Sequence, residues 1–140
     1  MSNELATVNS NPTQLCSTVS VETAQDKTRA LRTINASRSL NGLGVGVAFD
    51  VCDIFQTPGV RRSRDPRIPD VECINTYFIC PDGTSYMTQS QGIANSVAQI
   101  LSPFMFPDCG KSTDKGYLTL CVVEQKLDNG NAIKSVVPID

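Results

Sequence analysis

The chain has 140 residues, 40% of them hydrophobic, with 12 Lys and Arg against 14 Asp and Glu, a formal net charge of -2 and no histidine. That length suits one domain with an apolar core, and no run is long enough to span a membrane. Without histidine, Ser-His-Asp and Cys-His catalytic arrangements are excluded and the commonest general base is gone.

The first residues, "MSNELATVNSNPTQ", are polar and non-periodic. They lack a basic stretch followed by an apolar core, so the reading is a flexible tail over residues 1–15, no signal peptide and a cytoplasmic protein. Six cysteines follow, Cys16, Cys52, Cys73, Cys80, Cys109 and Cys121, with no C-x-x-C spacing. A zinc cluster has little support, and the expectation is buried, reduced thiols acting as small hydrophobes.

Val21, Ala24, Thr28, Leu31 and Ile34 recur at helical spacing, which predicts a helix from about Val21 with Ser20 as its cap. Asn41-Gly42 ends that region in a turn. "GLGVGVAF" is Gly-rich, but it enters a strand pattern and not a helix, so it fails as a nucleotide fingerprint. No phosphate loop occurs elsewhere, and neither an enzyme nor a cofactor is expected.

Val45, Val47, Phe49 and Val51 alternate as in a half-buried strand. Beyond Val51 the apolar residues Cys52 and Ile54 fall on the other parity, which calls for a bulge or a strand covered on both faces. "QTPGV" reads as a turn, and "GVRRSRDPRIPD" as an extended, Pro-broken loop. Two apolar runs flank Pro81-Asp82-Gly83-Thr84 and predict a hairpin. Ile93, Val97, Ile100 and Leu101 share a helix face that starts near Thr88 or Ser90 and stops at Pro103. After a loop, "YLTLCVVEQKLDNGNAIKSVVPID" is a second hairpin turning at Asp128-Asn129-Gly130.

The predicted class is mainly β with two helices (α+β). Five strands with a helix between the third and fourth give an OB-fold-like barrel over residues 16–140, preceded by an N-terminal helix.

The blocks "YFICPDGTSYMTQSQGIANSVAQIL" and "YLTLCVVEQKLDNGNAIKSV" carry a strand, a D-G turn, a short strand ending in Ser/Thr, a G-I-x-N-S helix and a last hairpin with an N-G turn. In this the chain resembles the small OB-fold single-stranded-DNA-binding proteins of Gram-positive conjugative plasmids and phages, over roughly residues 20 to 138. The resemblance implies an OB-fold, sequence-tolerant binding of single-stranded DNA, and self-association through the N-terminal tail.

Such binders join a cationic groove to aromatic faces on which bases stack. The cationic candidates are Arg61, Arg62, Arg64 and Arg67, four of the chain's twelve basic residues, followed by Lys111 and Lys115 before the fourth strand. The aromatic candidates are Tyr77, Tyr86, Phe55 and Tyr117. Tyr77 and Tyr86 are expected on one exposed surface across the hairpin, with Phe78 inside. Phe104 and Phe106 suggest a hydrophobic plug. The rival reading is a protein-interaction module of a phage particle or conjugation complex, favoured if the tyrosines and arginines are buried or satisfied by Asp65, Asp70 and Asp114.

Overall fold

A computed structural model of the chain describes residues 15–139. The tail expected over residues 1–15, with the self-association assigned to it, falls almost wholly outside the described residues.

Helix α1, Ala24–Ala36, begins three residues later than expected, because Thr23 and Asp26 cap it reciprocally. The Thr23 hydroxyl accepts from the Asp26 N–H (3.0 Å), and the Asp26 carboxylate accepts from the Thr23 N–H (3.3 Å). Ser20 instead bonds the Glu22 carboxylate. A two-residue strand, β1 (Arg38–Ser39), and a 3₁₀ turn, Leu40–Gly42, follow, and the turn drives Leu40 into the core.

Strands β2 (Ala48–Val51) and β3 (Asp53–Arg61) are consecutive in sequence yet belong to different sheets. The handover falls at Cys52, whose N–H donates to the Ile79 carbonyl (2.8 Å). It explains the parity break: Phe49 and Val51 point inward from one sheet, and Ile54 from the other. Val45 and Val47, expected in the strand, precede it and are exposed.

The turn expected at Pro58-Gly59 is absent, and β3 runs on to Arg61. Its outer edge tolerates the proline. Gln56 donates its N–H outward to the Cys16 carbonyl (3.0 Å), so Pro58, of the same parity, turns its missing donor to that edge.

Both hairpins form as read, β4 (Val71–Ile79) with β5 (Ser85–Thr88), and β6 (Leu118–Lys126) with β7 (Ala132–Pro138). Gly83 takes φ +91 in the first turn, and the Asp82 carboxylate accepts the Thr84 N–H (2.9 Å). Helix α2, Gln91–Ile100, is capped by the Ser90 side chain and buries Ile93, Ala94, Val97 and Ile100.

The class is α+β, with two helices and two sheets among the described residues. One sheet has the order β1-β5-β4-β3 and the other β2-β6-β7. Among the described residues the ladders form these two sheets and no closed barrel, so the α+β class expected is seen and the barrel is not. Phe49, Val51, Ile54, Phe78, Leu118, Leu120 and Val136 fill the space between them, with α2 across one end. Helix α2 approaches β7 so closely that a Cβ on Gly92 would stand 2.2 Å from the Lys134 carbonyl oxygen. Only glycine fits there.

Helix α1 sits on the outer face of the four-stranded sheet, where the Ser37 and Ser85 hydroxyls bond at 2.8 Å. None of its residues is buried.

Candidate nucleic-acid interface

The arginine segment straddles a strand end and a loop. Arg61 closes β3, and its guanidinium donates to the Gln89 carbonyl (2.8 Å). Two aspartates shape the loop that follows. The Asp70 carboxylate accepts the Ser63 N–H (2.9 Å), and that of Asp65 accepts the Arg67 N–H (2.9 Å). Arg67 then doubles back, with Nε and Nη2 each 3.2 Å from the Asp65 oxygens. The Arg67 side chain holds the Asp65 carboxyl below its ordinary value. Arg67 is thus spent within the loop. Arg62 and Arg64 are exposed and form no ion pair among the described residues.

The aromatic expectation needs correction. Tyr77 and Phe55 are each only 4% exposed, and they stack on one another, centroids 4.9 Å apart and planes 17° from parallel. They lie on the outer face of the sheet, as read for Tyr77, but that face is covered. A cleft of about 450 Å³ separates α1 from the sheet, with Phe55 and Ile79 opposite Ala30 and Thr33.

Tyr86 is on the opposite face. The five-residue turn pairs Tyr77 with Met87 and Phe78 with Tyr86, so Tyr86 follows Phe78 inward. It packs edge-on against Phe49, centroids 5.9 Å apart. The two tyrosines therefore share no surface.

Lys111 is also committed, in an ion pair with Asp53. The Asp53 carboxylate accepts the Thr18 hydroxyl as well (2.7 Å). Lys115 and Tyr117 do come together, lining a shallow cleft of about 350 Å³ before β6. Tyr117 is half-buried there and Lys115 exposed. Phe104 and Phe106 divide: Phe106 packs on the core, whereas Phe104 is 95% exposed.

All six cysteines are free thiols. Burial pushes Cys80 up to about 11 and Cys109 up to about 12. Among the described residues no group of His, Cys, Asp or Glu is placed to hold a metal ion, and no helix is long and apolar enough to cross a membrane.

One basic residue escaped the sequence reading. Lys134 shares strand parity with the buried Val136, and it lines a cleft with Arg61. A lysine on the same parity as the apolar Val136 within a predicted strand was the available signal.

Compared with protein-family models, curated proteins and solved structures, the chain matches none.

Proposed function

We propose that the protein binds single-stranded DNA without enzymatic activity, through arginine-phosphate contacts, on an OB-fold-like frame. Two things support the frame. One strand run, β2–β3, serves both sheets, and it is followed by a hairpin, a helix and a second hairpin, with β2 paired to β6. This succession supports an OB-fold reading, and OB-folds bind oligonucleotides on their second and third strands and the adjoining loops.

The observation that carries the function is the state of Arg62 and Arg64. They project from the β3–β4 loop, the connection between the first and second strands of such a fold, with no carboxylate partner among the described residues. Cations in that state neutralise phosphates and release counterions, without reading sequence. Tyr77 and Phe55 are packing residues in this account, so stacking contributes little while α1 stays in place. Affinity is then modest and falls with salt. A role in conjugation or phage replication rests on the sequence resemblance alone.

The test is fluorescence anisotropy with labelled oligo-dT and a matched duplex at low and moderate salt. Binding that prefers the single strand and weakens with salt supports the proposal. Undetectable binding at low salt removes it.

A second reading has its own observation. Phe104 stands out from a loop held by the bonds Met105 N–H to Ser102 carbonyl (3.0 Å) and Phe106 N–H to Ile100 carbonyl (2.9 Å). A rigid, fully exposed aromatic knob suits a protein contact. Loss of a partner from Phe104→Ala, with no oligo-dT binding by the wild type, favours that module.

A further inference from the structure

Between β5 and β7, which do not pair, a cleft of about 400 Å³ opens at one end of the molecule. Arg61 reaches its rim from β3 and Lys134 from β7, while Ser39, Asn41, Thr88 and Ser90 add hydroxyl and amide groups. No carboxylate lines it. The ion pairs among the described residues are Arg67–Asp65 and Lys111–Asp53, so both cations of the cleft are uncommitted. Glu124 stands opposite Lys134 on the β6–β7 ladder but forms no ion pair with it.

The groups are also oriented. The bond from Arg61 Nη2 to the Gln89 carbonyl (2.8 Å) fixes the guanidinium and leaves its other donors free. Thr88 is 7% exposed, and its hydroxyl accepts the Ser90 N–H (3.2 Å). No described hydrogen bond uses the Thr88 hydroxyl proton, so a nearly buried donor is left over beside two cations.

A matching ligand is small, anionic and rich in acceptors, with oxygens aimed in more than one direction. A planar carboxylate offers two oxygens in one plane. A tetrahedral phosphate directs its free oxygens, three in a terminal monoester and two in an internal diester, away from a single plane with its ester groups, and suits a guanidinium fork on one side with an ammonium on another. We infer that this cleft seats a phosphate group, with Arg61 and Lys134 as its cationic walls. The inference rests on the DNA reading only for whose phosphate is taken, a strand terminus or an internal phosphodiester.

The test titrates inorganic phosphate into the isotope-labelled full chain at constant ionic strength and follows backbone amide resonances. The expected result is shifts clustered at Ser39, Arg61, Gln89, Ser90 and Lys134. Affinity should fall about tenfold or more in Arg61→Gln with Lys134→Gln, and stay unchanged in Arg32→Gln, at an exposed position of α1 away from the cleft. The same spectra show whether each variant is folded. Lys134→Gln alone, which leaves the Arg61–Gln89 bond intact, should weaken phosphate by a smaller factor. Shifts confined to the β3–β4 loop, no shifts at all, or a folded double variant with wild-type affinity would each overturn the seat.

Oligo-dT with and without a 5′-phosphate separates the two sources. A preference for the phosphorylated strand, lost in the double variant, assigns a terminus. Equal binding, weakened equally in the variant, assigns an internal phosphodiester. Phosphate seating without any oligo-dT binding keeps the seat and removes the DNA reading.

Discussion

At the scale of single residues, burial separates packing groups from groups free to bind. Tyr77 and Phe55 shield one another and are nearly inaccessible. Tyr77→Ala or Phe55→Ala should cost about 3–5 kcal/mol in chemical denaturation, as large aromatic truncations do. Oligo-dT affinity per folded molecule should barely change. A variant of normal stability with lost binding would instead make these rings a stacking platform.

The thiols give a pH prediction. Burial raises Cys80 to about 11 and Cys109 to about 12 from an ordinary 9.0, so the folded state favours the protonated thiol. Stability linked to these groups is complete below pH 9 and drains away as pH climbs through 11 and 12. At pH 8 an aromatic disulfide reagent should leave Cys80 and Cys109 unmodified in the native protein and react with all six thiols after denaturation. Native reaction of Cys109 at the rate of the half-buried Cys73 would contradict the burial assigned here.

At the scale of elements, helix α1 is held more loosely than α2. It buries none of its own residues and leaves Leu31 exposed, whereas α2 buries five of ten. Hydrogen exchange should therefore be faster through α1 than through α2 or β4. Equal protection of the two helices would show that α1 is a fixed part of the core.

This contrast also marks what the sequence discloses. Both hairpins and α2 were legible, because a Gly turn or a Ser cap is a local signal read within a few residues. The parity break at Cys52 was legible as an anomaly, but its cause, a change of sheet, depends on partners Ile79 and Leu118 far along the chain. Pro58 misled because its ring marks a turn in isolation, and only the edge position of β3 makes it a strand residue. The tyrosines failed on register: a turn one residue longer or shorter would have changed which of them faces the core. The surroundings of Phe55, where the Ser17 backbone pairs against it and α1 faces it across a cleft, are tertiary contacts with no local mark.

At the scale of the whole molecule, a net charge of -2 gives little long-range attraction for a polyanion. On the proposed reading, binding draws on the local cluster of cations around the β3–β4 loop and the open seam, and not on overall charge. Of the basic residues expected to act together, Arg67 and Lys111 are held by Asp65 and Asp53. Arg62 and Arg64 stay open in the loop, and Arg61 joins Lys134 at the seam. The cluster was legible in composition, but its division into spent and available charges was not, since it depends on which carboxylate folds back on which arginine.

The most direct test is the salt dependence of oligo-dT affinity, measured for the wild type and for Arg62→Ala with Arg64→Ala. Each phosphate contact on a single strand contributes about -0.7 to the slope of log affinity against log salt, so removing two should flatten it by about 1.4. That change, with stability within about 0.5 kcal/mol of wild type as expected for surface positions, is the predicted result. A slope unaltered by the two substitutions would contradict the account.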